Sequence, residues 1–254
     1  MFIIDNKQNG VIGWVGPIVL ITLWAGVNSS GLVDTLYLPK VGEVWEKIID
    51  FILTDGWRHV GSTLIRTLLS IGLATLIGVP LGLVIGLSPR LYQASEIIID
   101  FFRSVPGTAF FPLFLLFFGV GDEVKIAITS FVVFWVILLN SIYGVWNCPK
   151  TRMKIAKVFR ATRRQIFQEV IIYDALPQIV VGLRLSLSLA LVITIVTEMY
   201  IGGNYGLGRK IYDSYIAYDT ARLYATIIII GGLGLVINRF FGCFERRVIH
   251  WAGK

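Results

Sequence analysis

NCPKTRMKIAKVFRATRRQIFQEVIIYDALP, residues 147–177, is the stretch whose reading decides this fold. It carries Lys150, Arg152, Lys154, Lys157, Arg160, Arg163 and Arg164 against only Glu169 and Asp174. On either side lie residues 126–145 and 179–196, apolar runs of the length that crosses a bilayer. A basic loop bracketed by two spans faces the cytoplasm, where positive loops are retained. This loop is long enough to hold a helix on which something inside the cell can dock.

Composition agrees. Of 254 residues, 56% are hydrophobic and 15% charged, and the mean hydropathy is +0.75. A soluble domain of this length would carry about 25% charged residues, so lipid rather than a water-excluding core is the expected solvent. The net charge of +7 does not indicate nucleic-acid binding, because the positive residues cluster between spans rather than on a soluble face. Cys148 and Cys243 make neither a disulfide framework nor a zinc site and read as reduced thiols without a role. His59 and His250 are too few and too far apart for a metal. Asp5 and Lys7 precede the first apolar run without a strong basic region or a cleavage site, which reads as a retained first span.

Six spans are predicted, at about 11–27, 62–87, 104–120, 125–146, 178–201 and 222–242. The fold class is therefore an all-α integral membrane protein of six transmembrane helices. It forms a single domain over 1–254, with its core at about 60–242. Pro106, Gly107 and Pro112 break the third span, which is tolerated where neighbouring helices satisfy the freed carbonyls. With the 147–177 loop inside, the 88–103 loop with Arg90 and Arg103 and the tail with Arg239, Arg246, Arg247 and Lys254 are inside as well. The acidic 119–124 turn and the 28–60 segment are then outside. This arrangement places both termini in the cytoplasm of a multi-pass plasma or inner-membrane protein. Residues 41–53 (VGEVWEKIIDFIL) have apolar positions at helical spacing behind Pro39, which predicts a short amphipathic helix on the outer surface.

Two stripes run through the spans. Ser70, Ala74, Gly78, Gly82 and Gly86 recur every four residues, a groove of small side chains that admits a neighbouring helix closely. Ser186, Ala190, Thr194, Glu198 and Gly202 share one face of the fifth span. Together with Asn140 in the fourth span, they are candidates for the wall of a translocation pathway. Alternatively, Glu198 sits at the outer interface and caps or pairs. GGNYGLGRK at 202–210 lacks the Lys-Ser or Lys-Thr of a phosphate loop and reads as an external glycine-rich turn or gate. No HExxH, GxSxG or paired-aspartate motif is present, so an enzyme is not indicated.

Within the basic loop, Ile155, Val158, Phe159, Ile166 and Phe167 alternate with the cations, predicting one or two short amphipathic helices joined near Ala161–Thr162. Composition leaves two readings open: a helix drawn to anionic membrane lipid, or a peg that inserts into a cytoplasmic protein.

Here the sequence resembles the membrane permease subunits of ATP-binding-cassette importers, in the nitrate/sulfonate/taurine branch. Ala156, Arg163, Gln165, Ile166, Val170, Ala175, Leu176, Pro177, Gly182, Leu183, Arg184 and Glu198 stand where such permeases have similar residues. IRTLLSIGLATLIGVPLGLVIGLS, DFFRSVPGTAFFPLFLLFFGVGDEVKI, ILLNSIYGVWN and GGNYGLGRKIYDS are similar to the same family in collinear order. Lys154, Arg160 and Tyr173 depart from its pattern, standing where an acid, a glycine and a proline are expected. The resemblance implies a type I importer permease with a cytoplasmic coupling helix. Ala156, Val158, Phe159, Arg160, Ala161, Thr162, Arg163, Gln165 and Ile166 would then meet a separate ATPase that binds ATP and Mg; this chain would need no cofactor. The implied partners are cytoplasmic ATPase subunits, an extracellular or periplasmic solute-binding protein, a second permease subunit and membrane lipid, with no nucleic acid. The implied cargo is a small anion such as nitrate, a sulfonate, taurine or bicarbonate. An ATP-independent carrier or channel remains the competing class.

Overall fold

The computed structural model describes residues 9–249 and 251, and every described element is helical. Asp5, Lys7, His250 and Lys254 lie outside the described residues. The elements are α1 (Asn9–Ser29), α2 (Val41–Leu53), α3 (Gly56–Leu87), α4 (Pro89–Ser104), α5 (Phe111–Phe118), α6 (Asp122–Trp146), α7 (Lys150–Val158), α8 (Arg163–Gln165), α9 (Ile172–Tyr200), α10 (Leu207–Ile216) and α11 (Thr220–Val248). A π-helical turn, Ile166–Ile171, joins α8 to α9 without a break. Four helical stretches among the described residues are long and apolar enough to cross a membrane: Gly56–Leu87, Asp122–Trp146, Arg163–Tyr200 and Thr220–Val248.

The region expected as a cytoplasmic loop at 88–103 followed by one interrupted span at 104–120 is built differently. Residues 89–104 are the helix α4, capped by the Ser88 side chain with Pro89 in its first turn. A 3₁₀ turn, Gly107–Phe110, and α5 follow at 92° to it. The bend falls at Val105–Pro106, where Val105 is extended because proline disfavours the helical conformation in the residue before it. Counted together, the bent pair raises the number of candidate spans to five.

The chain divides into two compact units, Met1–Trp57 with Lys210–Ile230, and Arg58–Arg209 with Gly231–Lys254. In the larger unit, α6 and α9 form the centre, and α3 packs on α6 through the predicted small-residue groove. A Cβ added at Gly82 would lie 2.5 Å from Ser141 Cβ and 2.6 Å from the Leu138 carbonyl oxygen. At Gly86 it would lie 2.9 Å from Val145 Cβ, so these positions admit only glycine. Ala74, Val133, Ile137 and Ala190 form one buried cluster, and Leu83, Val145, Cys148, Ile171, Ala175 and Ile179 another. On α6 and α9, Gly144 meets the Ala175 backbone and Gly182 meets Asn140.

In the smaller unit, the 41–53 helix forms as predicted, burying Val44 and Phe51. Trp24 Nε1 donates to the Pro39 carbonyl at 3.0 Å and Asn28 Nδ2 to the Leu38 carbonyl at 2.7 Å, tying the approach to α2 against the end of α1. Arg222 pairs with Asp50 at 3.3 Å and Lys47 with Asp219 at 3.5 Å, holding α2 to the start of α11.

Candidate functional site

The basic loop folds into an elbow. α7 ends where Ala161 N–H donates to the Ala156 carbonyl (3.0 Å) and Arg160 N–H to the Lys157 carbonyl (2.9 Å). This crossed pair of bonds closes a helix around one left-handed residue. That residue is Arg160, with φ +57°. It therefore adopts the backbone that glycine would give at less cost. Two residues later Thr162 opens α8: its Oγ1 accepts from Gln165 N–H, and Gln165 Oε1 accepts from Thr162 N–H at 2.8 Å, a reciprocal capping box. The join predicted near Ala161–Thr162 lies between these two caps.

Of the residues expected to couple, Val158, Phe159, Arg160, Thr162, Arg163 and Gln165 are exposed, and Ala156, Ala161 and Ile166 are half-buried. Val158 and Phe159 are about four-fifths exposed, at 79% and 81%, an apolar tip flanked in the chain by the exposed Lys157, Arg160, Arg163 and Arg164. The foot of the elbow is fixed by contacts the sequence did not reveal. Asp174 accepts hydrogen bonds from Arg152 and, at 3.1 Å, from the Cys148 thiol. Met153 packs on the cluster that contains Cys148, Ile171 and Ala175. Burial, reinforced by the neighbouring Asp174 carboxylate, pushes the Cys148 thiol up to about 11. A cleft of about 430 Å³ lined by Ile155, Glu169, Tyr173 and Trp251, among others, lies beside α7. The signal available was Asp174 itself, one of only two acids in a basic segment, beside the Leu176–Pro177 step.

The second cluster centres on Glu198, which has no exposed surface. It accepts from Arg66 Nη1 (2.6 Å), Thr63 Oγ1 (2.9 Å) and the Gly208 N–H (3.0 Å). Arg66 also donates to the Tyr205 carbonyl at 2.8 Å and pairs with Asp122 at 2.8 Å, and Asp122 lies 3.5 Å from the Lys125 ammonium. Leu207 N–H donates to Thr63 Oγ1 (2.9 Å) and Gly206 N–H to His59 Nδ1 (3.1 Å). The glycine-rich turn thus closes over the cluster. Gly203 (φ +133°) and Gly206 (φ +150°) have backbones unsuited to side chains, and an added Cβ would lie 2.6 Å from Lys125 Nζ and 2.5 Å from the Glu198 carboxyl carbon.

Ser186, Ala190 and Thr194 are buried in the helix packing below. Thr194 meets Thr67 at 3.3 Å, while Ser186 Oγ has no hydrogen-bond partner among the described residues. Asn140 is half-buried, donates to the Val136 carbonyl and accepts from Gln178 at 3.0 Å.

Comparison with known proteins follows the same outline. Residues 78–250 match the family described as binding-protein-dependent transport system inner membrane component. The taurine transport system permease protein TauC of Escherichia coli is 29% identical over 93% of this chain and 88% of its own length. The nitrate import permease protein NrtB of Leptolyngbya laminosa is 29% identical over 91% and 85%. The bicarbonate transport system permease protein CmpB of Synechococcus elongatus is 28% identical over 96% and 91%. Among solved structures, a chain of the MetNI methionine ABC transporter in an inward-facing conformation superposes with a TM-score of 0.68 at 22% identity, over 75% of this chain and 94% of that one; at this identity the likeness concerns the fold alone. The chain belongs to the family of binding-protein-dependent transport system inner membrane components and is a transmembrane permease subunit of an ABC importer.

Proposed function

We propose that this permease carries a small anion, of the size and charge of taurine, nitrate, a sulfonate or bicarbonate, delivered by an external binding protein. The support is similarity along nearly the full chain to permeases named for those solutes. Membership of the family sets aside the ATP-independent carrier. The chain acts as one domain of six spans, with α1 the first and the bent α4–α5 pair the third, and with both termini cytoplasmic. It pairs with a second permease and hydrolyses nothing itself; ATP and Mg bind to cytoplasmic ATPase subunits.

The observation that carries the reading is the elbow: an exposed apolar tip in a basic stretch of chain, on a foot pinned by Asp174. Residues 156–166 enter a groove on the ATPase, with Val158 and Phe159 as the inserted tip and Arg163 and Arg164 contacting its rim. Reversing both charges, Arg163→Glu with Arg164→Glu, is expected to weaken ATPase copurification strongly while leaving the amount of permease in the membrane unchanged. Undiminished copurification would overturn the assignment.

For the pathway we propose a narrower set than the small-and-polar face. Asn140, joined to Gln178 and half-buried, lies along it. Ser186, Ala190 and Thr194 serve helix packing, and Glu198 holds the glycine-rich turn.

A further inference from the structure

The helix α2 divides into sectors that its packing does not explain. At about 100° per residue, Val44, Ile48 and Phe51 fall together on the face turned inward, with Val44 and Phe51 buried. Lys47 and Asp50 fall on one flank, where they pair with Asp219 and Arg222. The opposite flank carries Trp45, Ile49, Ile52 and Leu53, 62%, 43%, 64% and 78% exposed. Glu46 stands exposed just beyond it, and Glu43, also exposed, falls between Asp50 and Lys47. An exposed apolar sector beside an acidic one, on a helix of 13 residues, is the pattern of a helix lying in the plane of a membrane surface.

The depth of α2 follows from a separate observation. The chain leaves α1 at Ser29, yet the carbonyl of Pro39, two residues before α2 begins, is held by Trp24, and that of Leu38 by Asn28. Trp24 is five residues, about 7.5 Å of helix rise, inside the end of α1. Around it α1 is exposed and apolar at Leu20, Ile21, Leu23 and Val27. The start of α2 is therefore fixed level with the last turns of an apolar helix. Continuity with that apolar surface selects lipid as the occupant.

We propose that α2 is an in-plane membrane anchor whose Trp45–Ile49–Ile52–Leu53 flank is immersed in the headgroup and upper acyl region of the bilayer, with Glu43 and Glu46 facing water. Tryptophan at this boundary suits the residue, with an apolar ring and a polar N–H at the wet edge. The anchor ties the α1–α3 connection and the head of α11 to the membrane surface. It rests on the reading of α1 as a span.

The test uses the full chain in phospholipid vesicles, with Cys148→Ser and Cys243→Ser as background. Spin labels are placed singly at Trp45→Cys, Ile49→Cys, Ile52→Cys, Glu43→Cys and Glu46→Cys, and at Leu20→Cys in α1 as a span control. All six positions are exposed, so no label displaces packing. Collision with oxygen, which concentrates in lipid, is compared with collision with a water-soluble nickel chelate. Oxygen is expected to dominate several-fold at 45, 49 and 52, and nickel at 43 and 46. Nickel dominance at 49 and 52 with oxygen dominance at Leu20 overturns the anchor alone. Nickel dominance at Leu20 as well overturns the span reading and the anchor with it. Labels at 49 and 52 that reach neither reagent show the flank covered by protein, which also overturns the proposal.

Discussion

Glu198 admits two readings from its place in the sequence, pathway wall or capping and pairing residue, and its contacts are those of the second. Its spacing from Ser186, Ala190 and Thr194 put it on a polar stripe, but its hydroxyl, guanidinium and amide donors leave no side of the carboxylate free for solute. Removing one partner of a buried ion pair strands the other charge, at a cost of about 3–5 kcal/mol. Glu198→Ala is therefore expected to lower the thermal stability of the purified permease clearly, and Glu198→Gln, which keeps hydrogen-bonding capacity, to lower it less. With Glu198→Gln the KM for solute should stay unchanged; a raised KM would return the residue to the pathway. Cys148 makes a second prediction at this scale. The thiolate is the reactive form, and a group near 11 holds it to on the order of one part in a thousand at pH 8. Maleimide should label exposed Cys243 far faster than Cys148 in the folded protein, with the difference vanishing on denaturation. Comparable rates in the folded state would contradict the burial and the Asp174 bond.

Helices were legible where a period carried the information. The small stripe of α3, the amphipathic pattern of α2 and the two segments of the elbow all rest on short-range spacing within one stretch of chain, and all three form. Gly82 carries the sharpest consequence. Because Ser141 Cβ and the Leu138 carbonyl fill the space a side chain would need, Gly82→Val should force α3 from α6 and lower the yield of folded permease. Gly72→Val on the same helix, where nothing lies within 4 Å of an added Cβ, should be tolerated. Equal yields would argue against this close packing. The region 88–118 differs from its expectation because charge, not period, dominated its reading. Arg90, Glu96, Asp100 and Arg103 make 89–104 look like a loop, yet these residues form the helix α4, which turns by 92° into α5 at Val105–Pro106. Arg160 stands where the resemblance expects a glycine and still adopts the left-handed backbone that glycine would give.

Across the molecule, what the sequence could not disclose was partnership at long range. Arg66 and Glu198 are 132 residues apart in the chain, and Thr63 and Glu198 are 135 apart. No window of spacing joins them. The same holds for Arg152 and Asp174, 22 residues apart across the elbow. Class and family were visible because they rest on composition and collinear motifs, whereas the fastenings between helices had to be seen.

One of those fastenings has a mechanical corollary. Asp174, which grips the foot of the elbow, and Glu198, which grips the glycine-rich turn, are rooted in the same rod, α9, about 36 Å apart along its axis. A tug that tilts the lower clasp must swing the upper one in step, as with the two arms of a bell-crank, unless the rod itself bends.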